Sequence, residues 1–357
     1  MQTRLLKLMG AVVIGMVATT TVSTAIAETK LIAGYSNSGR GPFGEGLKWF
    51  HSEVAKRTNN EVQIDPQWGG ALYKAGAARQ SIADGISDLG IVIGAYTPRE
   101  MTAYTIADLP VGSDPWVGMR ATHDLMLSEP SIKAQLDEQN LVYLGSYTTS
   151  AVQLICKGEP VKTIEDIKGR KIRGIGIYGK VFKELGANLV SMSYYKAYQA
   201  LDTGLLDCTQ GYGYSTQSLK HYEVADNITL IDWGQIGALG LFANKEAFER
   251  LSPEVQKAMR DVGSDIADYY GEVMSTANEK ALAVMQEGID GKKLEVLKLS
   301  DDLRAVLVEK GESYVQGWVD NANKSGLKGE ELLANMKALV AKYEKQRDEK
   351  GYPWALK

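Results

Sequence analysis

The sequence predicts an α/β protein built from two doubly wound domains. Three observations carry this. Strand and helix patterns alternate over residues 30–93, the alternation returns over 163–210 as strand, helix, strand, helix, strand, and an extended stretch between the two offers a hinge. At 357 residues the chain is long enough for two ordinary domains with buried cores.

Residues 1–27 read as a secretory signal. Arg4 and Lys7 supply a positive start, 8–18 an apolar stretch shorter than a bilayer span, and Ala25-Ile26-Ala27 a small-x-small cleavage pattern before Glu28. Cleavage after Ala27 and export to a bacterial periplasm are expected. Loss of the two cations takes the formal charge from −4 to −6. The lysines alternate with carboxylates along helices, as in 344–350, so no basic face exists for nucleic acid.

The first domain, 28–150 with part of the C-terminal region, opens with a strand at 30–35 and a turn from Ser36 to Pro42. Leu47, Phe50 and Val54 recur at helical spacing, a strand follows at 61–66, then a helix at 74–84 closed by Gly85 and a buried strand at 88–93. Open sheets bind ligands beyond the carboxyl ends of their strands, which makes Ser36, Asn37, Gly94 and Tyr96 candidate pocket residues. Each also fits an ordinary turn role. Residues 109–138 are helical, punctuated by Pro110, Pro115 and Pro130, and 141–147 is a strand. The hinge is placed at 147–151.

The second domain, 151–250, reads as a turn at 164–168, strand 171–174, helix 179–185, strand 188–191, helix 194–203 and strand 206–210, with further strands at 224–231 and 238–244. C-terminal helices fill 251–357. Ser252 caps the first of these, Pro253 sits where no amide hydrogen is needed, and Glu254 favours the helix dipole. The apolar stripes of 301–323 and 329–349 read as core-facing.

The two cysteines, Cys156 and Cys208, fit either a disulfide in an oxidising compartment or two buried thiols. Three histidines, His51, His123 and His221, stand at no metal-ligand spacing. No G-x-S-x-G elbow, paired metal-binding histidines or phosphate-cradling loop occurs, so neither an enzyme nor a cofactor or metal is expected.

Arg173 ends a strand, with Gly174 and Gly176 after it and no acidic residue within the next turn. A guanidinium matches a carboxylate with a planar fork of donors, so the position suggests a site for a small organic anion. Pairing with a distant acid of the same domain is the alternative.

The segments GEPVKTIEDIKGRKIRGIG, LGANLVSMSYYKAYQALDTGLLDCTQG and NKEAFERLSPEVQKAM, in this order, resemble the solute-binding subunits of tripartite ATP-independent periplasmic (TRAP) transporters. KLIAGYSNSGRGPFGEGLKWFHSEVAKRT, GGALYKAGAARQSIADGISDLGI and the DLP at 108–110 extend the similarity through most of the mature chain. The resemblance implies a type II-like periplasmic binding protein fold, with two domains on a hinge and a long helix across both, for which 252–288 is the candidate. It implies that Arg173 forms a salt bridge with the ligand carboxylate. It also implies a protein that captures a small carboxylate or sulfonate and delivers it to TRAP membrane subunits; a binding protein of an ATP-driven importer shares the same two-lobe logic.

The sequence departs from the family where the ligand is read. The usual V-D-G-Q-E-N is replaced by Leu206-Asp207-Cys208-Thr209-Gln210-Gly211, so Thr209 takes the amide position and Gln210 the acidic one. Gln210 remains a candidate hydrogen-bonding residue. Tyr212 and Tyr214 follow it, Trp233 and Gln235 lie in a later loop, and Tyr147 lies at the hinge. These fit either ligand contacts or core packing.

Overall fold

The computed structural model describes residues 28–112 and 114–356; the leader read at 1–27 lies outside them. β1 (Thr29–Gly34) leads into α1 (Gly41–Arg57), which buries Leu47, Phe50 and Val54 as their spacing requires. β2 (Val62–Gln67) pairs parallel to β1 on one side, and β3 (Leu89–Ile93) on the other. The helix expected at 74–84 is a 3₁₀ turn, Ala75–Ala77, followed by α2 (Ala78–Ala83). α3 (Pro115–Ser128) and α4 (Pro130–Glu138) each begin at a proline, where the missing amide hydrogen costs nothing. β4 (Leu141–Tyr147) then carries the chain to the second lobe.

That lobe begins with β5 (Gln153–Cys156) and continues as β6 (Lys171–Arg173), α5 (Gly176–Glu184), β7 (Asn188–Val190), α6 (Ala197–Asp202), β8 (Cys208–Gly211), α7 (Gly213–Ser218) and β9 (Asn227–Leu230). The chain returns as β10 (Leu239–Asn244) and continues as α8 (Lys245–Glu249), α9 (Pro253–Glu287), β11 (Glu295–Lys298), α10 (Asp301–Lys324) and α11 (Gly329–Lys350).

The sheet orders are β2-β1-β3-β10-β4 and β11-β9-β5-β8-β6-β7. Each contains one strand that enters from the other lobe and runs antiparallel to its neighbours: β10 between β3 and β4, and β5 between β8 and β9. Residues 239–244 therefore belong to the first sheet and 295–298 to the second, so a division at 150 and 250 does not follow sheet membership. A fully buried strand such as β10 reads the same whichever sheet receives it.

The two crossing segments, 148–152 and 231–238, lie side by side. Thr149 N and Val152 N donate to the carbonyls of Ile236 and Gly234 at 3.1 and 3.0 Å, and Ile236 N donates to Thr149 Oγ1 at 3.0 Å. A third connection is α9, capped by Ser252 Oγ accepting from Val255 N. Its 35 residues span about 52 Å. It packs on β4, α1 and α3 of the first lobe and on α7 and β11 of the second. Gly263 presses against the carbonyl of Leu144, and a Cβ on Gly145 would meet the Gly263 carbonyl at 2.8 Å, so helix and sheet touch backbone to backbone.

Asp108 fixes the return segment to the first lobe. Its carboxylate accepts from Ala238 N at 2.9 Å and from the Gly237 amide, while its carbonyl accepts from Tyr178 Oη of α5 at 3.2 Å. Burial pushes its carboxyl up to about 7 against those two amide bonds. Burial holds His51, His123 and His221 at about 4.

Cys156 and Cys208 stand opposite each other on β5 and β8 and are joined as a disulfide across 52 residues. Chain entropy assigns such a loop about 4 kcal/mol. In urea unfolding, the Cys156→Ala/Cys208→Ala protein should lose roughly 2–4 kcal/mol; an unchanged midpoint would show that the bridge does not form.

The pH response separates by sign. Asp108, raised in the folded state, contributes stability that is full below about pH 4 and is lost as pH rises through about 7. The three histidines, lowered in the folded state, act oppositely between about 4 and 6.5. The unfolding free energy of wild type minus that of Asp108→Asn should fall by about 1.4 kcal/mol per pH unit from about pH 5 to 6.5. A flat difference sinks this assignment.

Candidate ligand-binding site

A cavity of about 70 Å³ lies between the lobes, beyond the carboxyl ends of β1, β3, β6 and β8. This is where parallel strands deliver loops and helix N-termini. The first lobe contributes Asn37 and Arg40 from the β1–α1 turn, Phe43 from the first turn of α1 and Tyr96 from the 3₁₀ turn after β3. The second contributes Arg173, Ile175, Tyr194, Tyr195, Tyr212 and Tyr214. Thr149, Ile236 and Leu239 of the crossing segments and β10 close it.

Arg173 is the last residue of β6 and is 0% exposed. Its Nε donates to the carbonyl of Met192 at 3.1 Å, Nη1 to the carbonyl of Gln210 at 3.3 Å and Nη2 to Tyr96 Oη at 3.1 Å. The guanidinium lies over the Tyr194 ring, 5.1 Å from its centroid. Among the described residues no carboxylate forms an ion pair with it. The alternative of a distant acid partner is thereby removed. Carbonyl, hydroxyl and ring faces orient the cation, but none of them neutralises it.

The surroundings keep that charge single. His221 packs edge-on against Tyr194 at 5.0 Å and stays neutral, its pKa lowered to about 4 first by burial and then by Arg173. Burial pushes Tyr194 up to about 12 and raises Tyr212 and Tyr214 well above the ordinary phenol, so no phenolate answers the guanidinium.

Tyr96 reaches across the cleft. Its hydroxyl oxygen accepts from both Arg173 Nη2 and the backbone amide of Tyr194, the latter at 3.1 Å. Two donors converge on one oxygen, and the hydroxyl hydrogen remains to be given.

Of the residues singled out in the sequence, Arg173, Asn37, Tyr96, Tyr212 and Tyr214 line the cavity, and the remainder do not. Gln210 lies beneath it: Oε1 accepts from Ile175 N at 2.9 Å, its carbonyl holds Arg173, and its Nε2 is buried without a partner. Thr209 donates its hydroxyl to the same carbonyl. Tyr147 is buried behind Phe43, ring centroids 5.4 Å apart, and donates to the carbonyl of Gly46. Trp233 packs edge-on against Tyr178 and over Gly311, and the Gln235 side chain fills the space beside Gly118, so both belong to the core that seats α10 and α3. Ser36 and Gly94 lie outside the lining.

Sequence reading missed Arg40, Phe43, Tyr194 and Tyr195. A signal existed for the tyrosines, since SMSYYKAY follows a strand that pairs with β6, as ligand-facing loops do. Nothing local marked Phe43, whose place at the mouth depends on how α1 meets the other lobe.

The model of the bacterial extracellular solute-binding protein family 7, DctP, matches residues 33–321. The C4-dicarboxylate-binding periplasmic protein DctP of Rhodobacter capsulatus is 23% identical over 251 residues, which cover 69% of this chain and 74% of that protein. The 2,3-diketo-L-gulonate-binding periplasmic protein YiaO of Escherichia coli is 24% identical over 267 residues, 74% of this chain and 81% of its own. A crystal structure of a TRAP periplasmic solute-binding protein from Bordetella bronchiseptica, with bound (R)- and (S)-mandelate, is similar with a TM-score of 0.78 and 25% identity over 88% of this chain and 99% of that one. With the family model spanning both lobes, the chain belongs to family 7 of the bacterial extracellular solute-binding proteins, the receptors of TRAP transporters.

Proposed function

We propose that the mature protein, freed of its leader after Ala27, is a periplasmic receptor that binds a small organic anion without chemical change and delivers it to TRAP membrane subunits. The observation that carries the reading is Arg173, wholly buried, held by three neutral acceptors and lacking a counter-ion among the described residues. An unpaired buried charge is costly, and a site that keeps one gains when an anion enters. The relatives named above are described as binding a C4-dicarboxylate, a diketogulonate and mandelate, all organic acids.

In this reading the ligand carboxylate docks on the Arg173 fork and accepts the hydroxyl hydrogen of Tyr96, with Asn37 and Tyr212 beside it. Gln210 and Thr209 act as positioning residues through the carbonyl that holds Nη1. Because Tyr96 belongs to the first lobe and Arg173 to the second, the anion is gripped fully only when the cleft is shut. Closure about the two crossing segments and α9 is then a population shift driven by contacts available in the closed state.

A thermal-shift screen of organic acids tests the reading, since ligand at a hundred times its Kd adds about 2.7 kcal/mol of stability. Calorimetry with the tightest acid should show a loss of roughly 2–5 kcal/mol for Arg173→Ala; an affinity within a few-fold of wild type would falsify the role given to Arg173. Ligand-free Arg173→Met should meanwhile be as stable as wild type or more so, by up to about 3 kcal/mol, because an uncompensated charge leaves the interior. A marked loss of stability would mean that the guanidinium is structural.

A further inference from the structure

Resting on the reading of this cavity as the ligand site, we infer that its ligand is an aromatic monocarboxylate: one flat, apolar ring bearing one carboxylate, as opposed to a dicarboxylate or a polyhydroxy acid. Three observations on the cavity converge on this class.

The first is charge. Two cations border the cavity, and their settings differ. Arg173 is buried, while Arg40 is exposed at the mouth, at the start of α1. A first carboxylate meets a desolvated guanidinium, where the attraction is large; a second could meet only Arg40, where water screens it. Carrying a second carboxylate inward would therefore strip its water with little return.

The second is the wall. The apolar part of the lining is Phe43, Ile93, Ile175, Ile236 and Leu239, joined by the tyrosine rings. Tyr212 and Tyr214 lie nearly parallel, 18° between planes and 6.2 Å between centroids, and Tyr194 meets Tyr212 edge-on at 5.5 Å. Flat faces and edges of this kind accept another ring in stacked or edge-on geometry.

The third is that the accessible lining is mostly apolar, even though Asn37, Ser38, Tyr195, Tyr212 and Ser218 also border it. Tyr194 Oη is already joined to Ser215 Oγ at 2.8 Å, and Asn37 Oδ1 accepts from Gly39 N at 2.8 Å. The several hydroxyls of a sugar acid would enter a largely apolar enclosure, and each one left unpaired costs about 1–3 kcal/mol.

The test compares benzoate, isophthalate and glucuronate by calorimetry on the mature protein. Isophthalate adds only a second carboxylate to the same ring, and glucuronate keeps one carboxylate but replaces the apolar ring with a hydroxylated one. Benzoate should bind at least about 100-fold more tightly than either, the discrimination expected when buried polar groups go unpaired. Isophthalate or glucuronate binding as tightly as benzoate overturns the inference, as does tight binding of a dicarboxylate or an aliphatic acid from the screen in the absence of binding by any aromatic monocarboxylate. Both outcomes leave the receptor reading intact. Failure of every organic acid in the screen to bind would remove that reading as well. Phe43→Leu, which keeps the apolar contact but removes a ring from the mouth, should weaken benzoate several-fold while leaving the melting temperature of the ligand-free protein nearly unchanged; unchanged benzoate affinity counts against ring packing.

Discussion

A guanidinium buried without a counter-ion among the described residues is the constraint on which the other features of this site depend. Arg173 sits in an interior where an unpaired charge is expensive, and three hydrogen bonds with one ring face hold it there. Those partners are neutral by construction: two carbonyls, a phenol and an aromatic face. An Asp or Glu in their place would satisfy the cation permanently and leave nothing for a ligand. The neutrality of His221 and of the tyrosines follows from the same burial, so these groups leave the buried Arg173 charge unopposed near neutral pH, while the second cation, Arg40, stays exposed at the mouth.

The fold supplies that cation with an opposite wall from the other lobe. Arg173 ends a strand of one sheet, and Tyr96 follows a strand of the other. The two lobes are tied by a pair of crossing segments and by one long helix whose glycine contact with β4 places it directly on the sheet. Exchange of one antiparallel strand between the sheets gives these connections their path. Asp108 and Tyr178 secure the return segment where it enters the first lobe, with Gln235 as a further backbone acceptor for Tyr178.

Much of the fold was legible locally. The alternation of 2.0 and 3.6 periods placed most strands and helices, because each element needs a buried face and that need is written into spacing; the short α7 and α8, and the strand β11 inside the region read as helical, were not among them. The cap at Ser252-Pro253 announced the start of the long helix. Arg173 was legible too, since a strand-ending arginine with glycines after it has no local acid. What spacing left open was whether a remote acid met it, and no local pattern can answer that. Tyr147, Trp233, Gln235 and Gln210 were candidates because polar and aromatic residues near loops serve packing and binding alike; in the folded chain Tyr147 stands behind Phe43, Trp233 against Tyr178, and Gln210 beneath the floor.

By itself, the sequence determined the α/β class, the two-lobe plan and the family, and singled out Arg173 as the candidate for meeting an anion, all of which rest on periodicity, capping and motif order within short stretches. Tertiary structure alone decided that Arg173 lacks a counter-ion among the described residues, that Cys156 faces Cys208, that β10 joins the first sheet, and that Phe43, Tyr194 and Tyr195 border the cavity. Each of these depends on contacts between segments dozens of residues apart, and such contacts are set by how sheets and helices pack, for which no local pattern in the chain carries a signal.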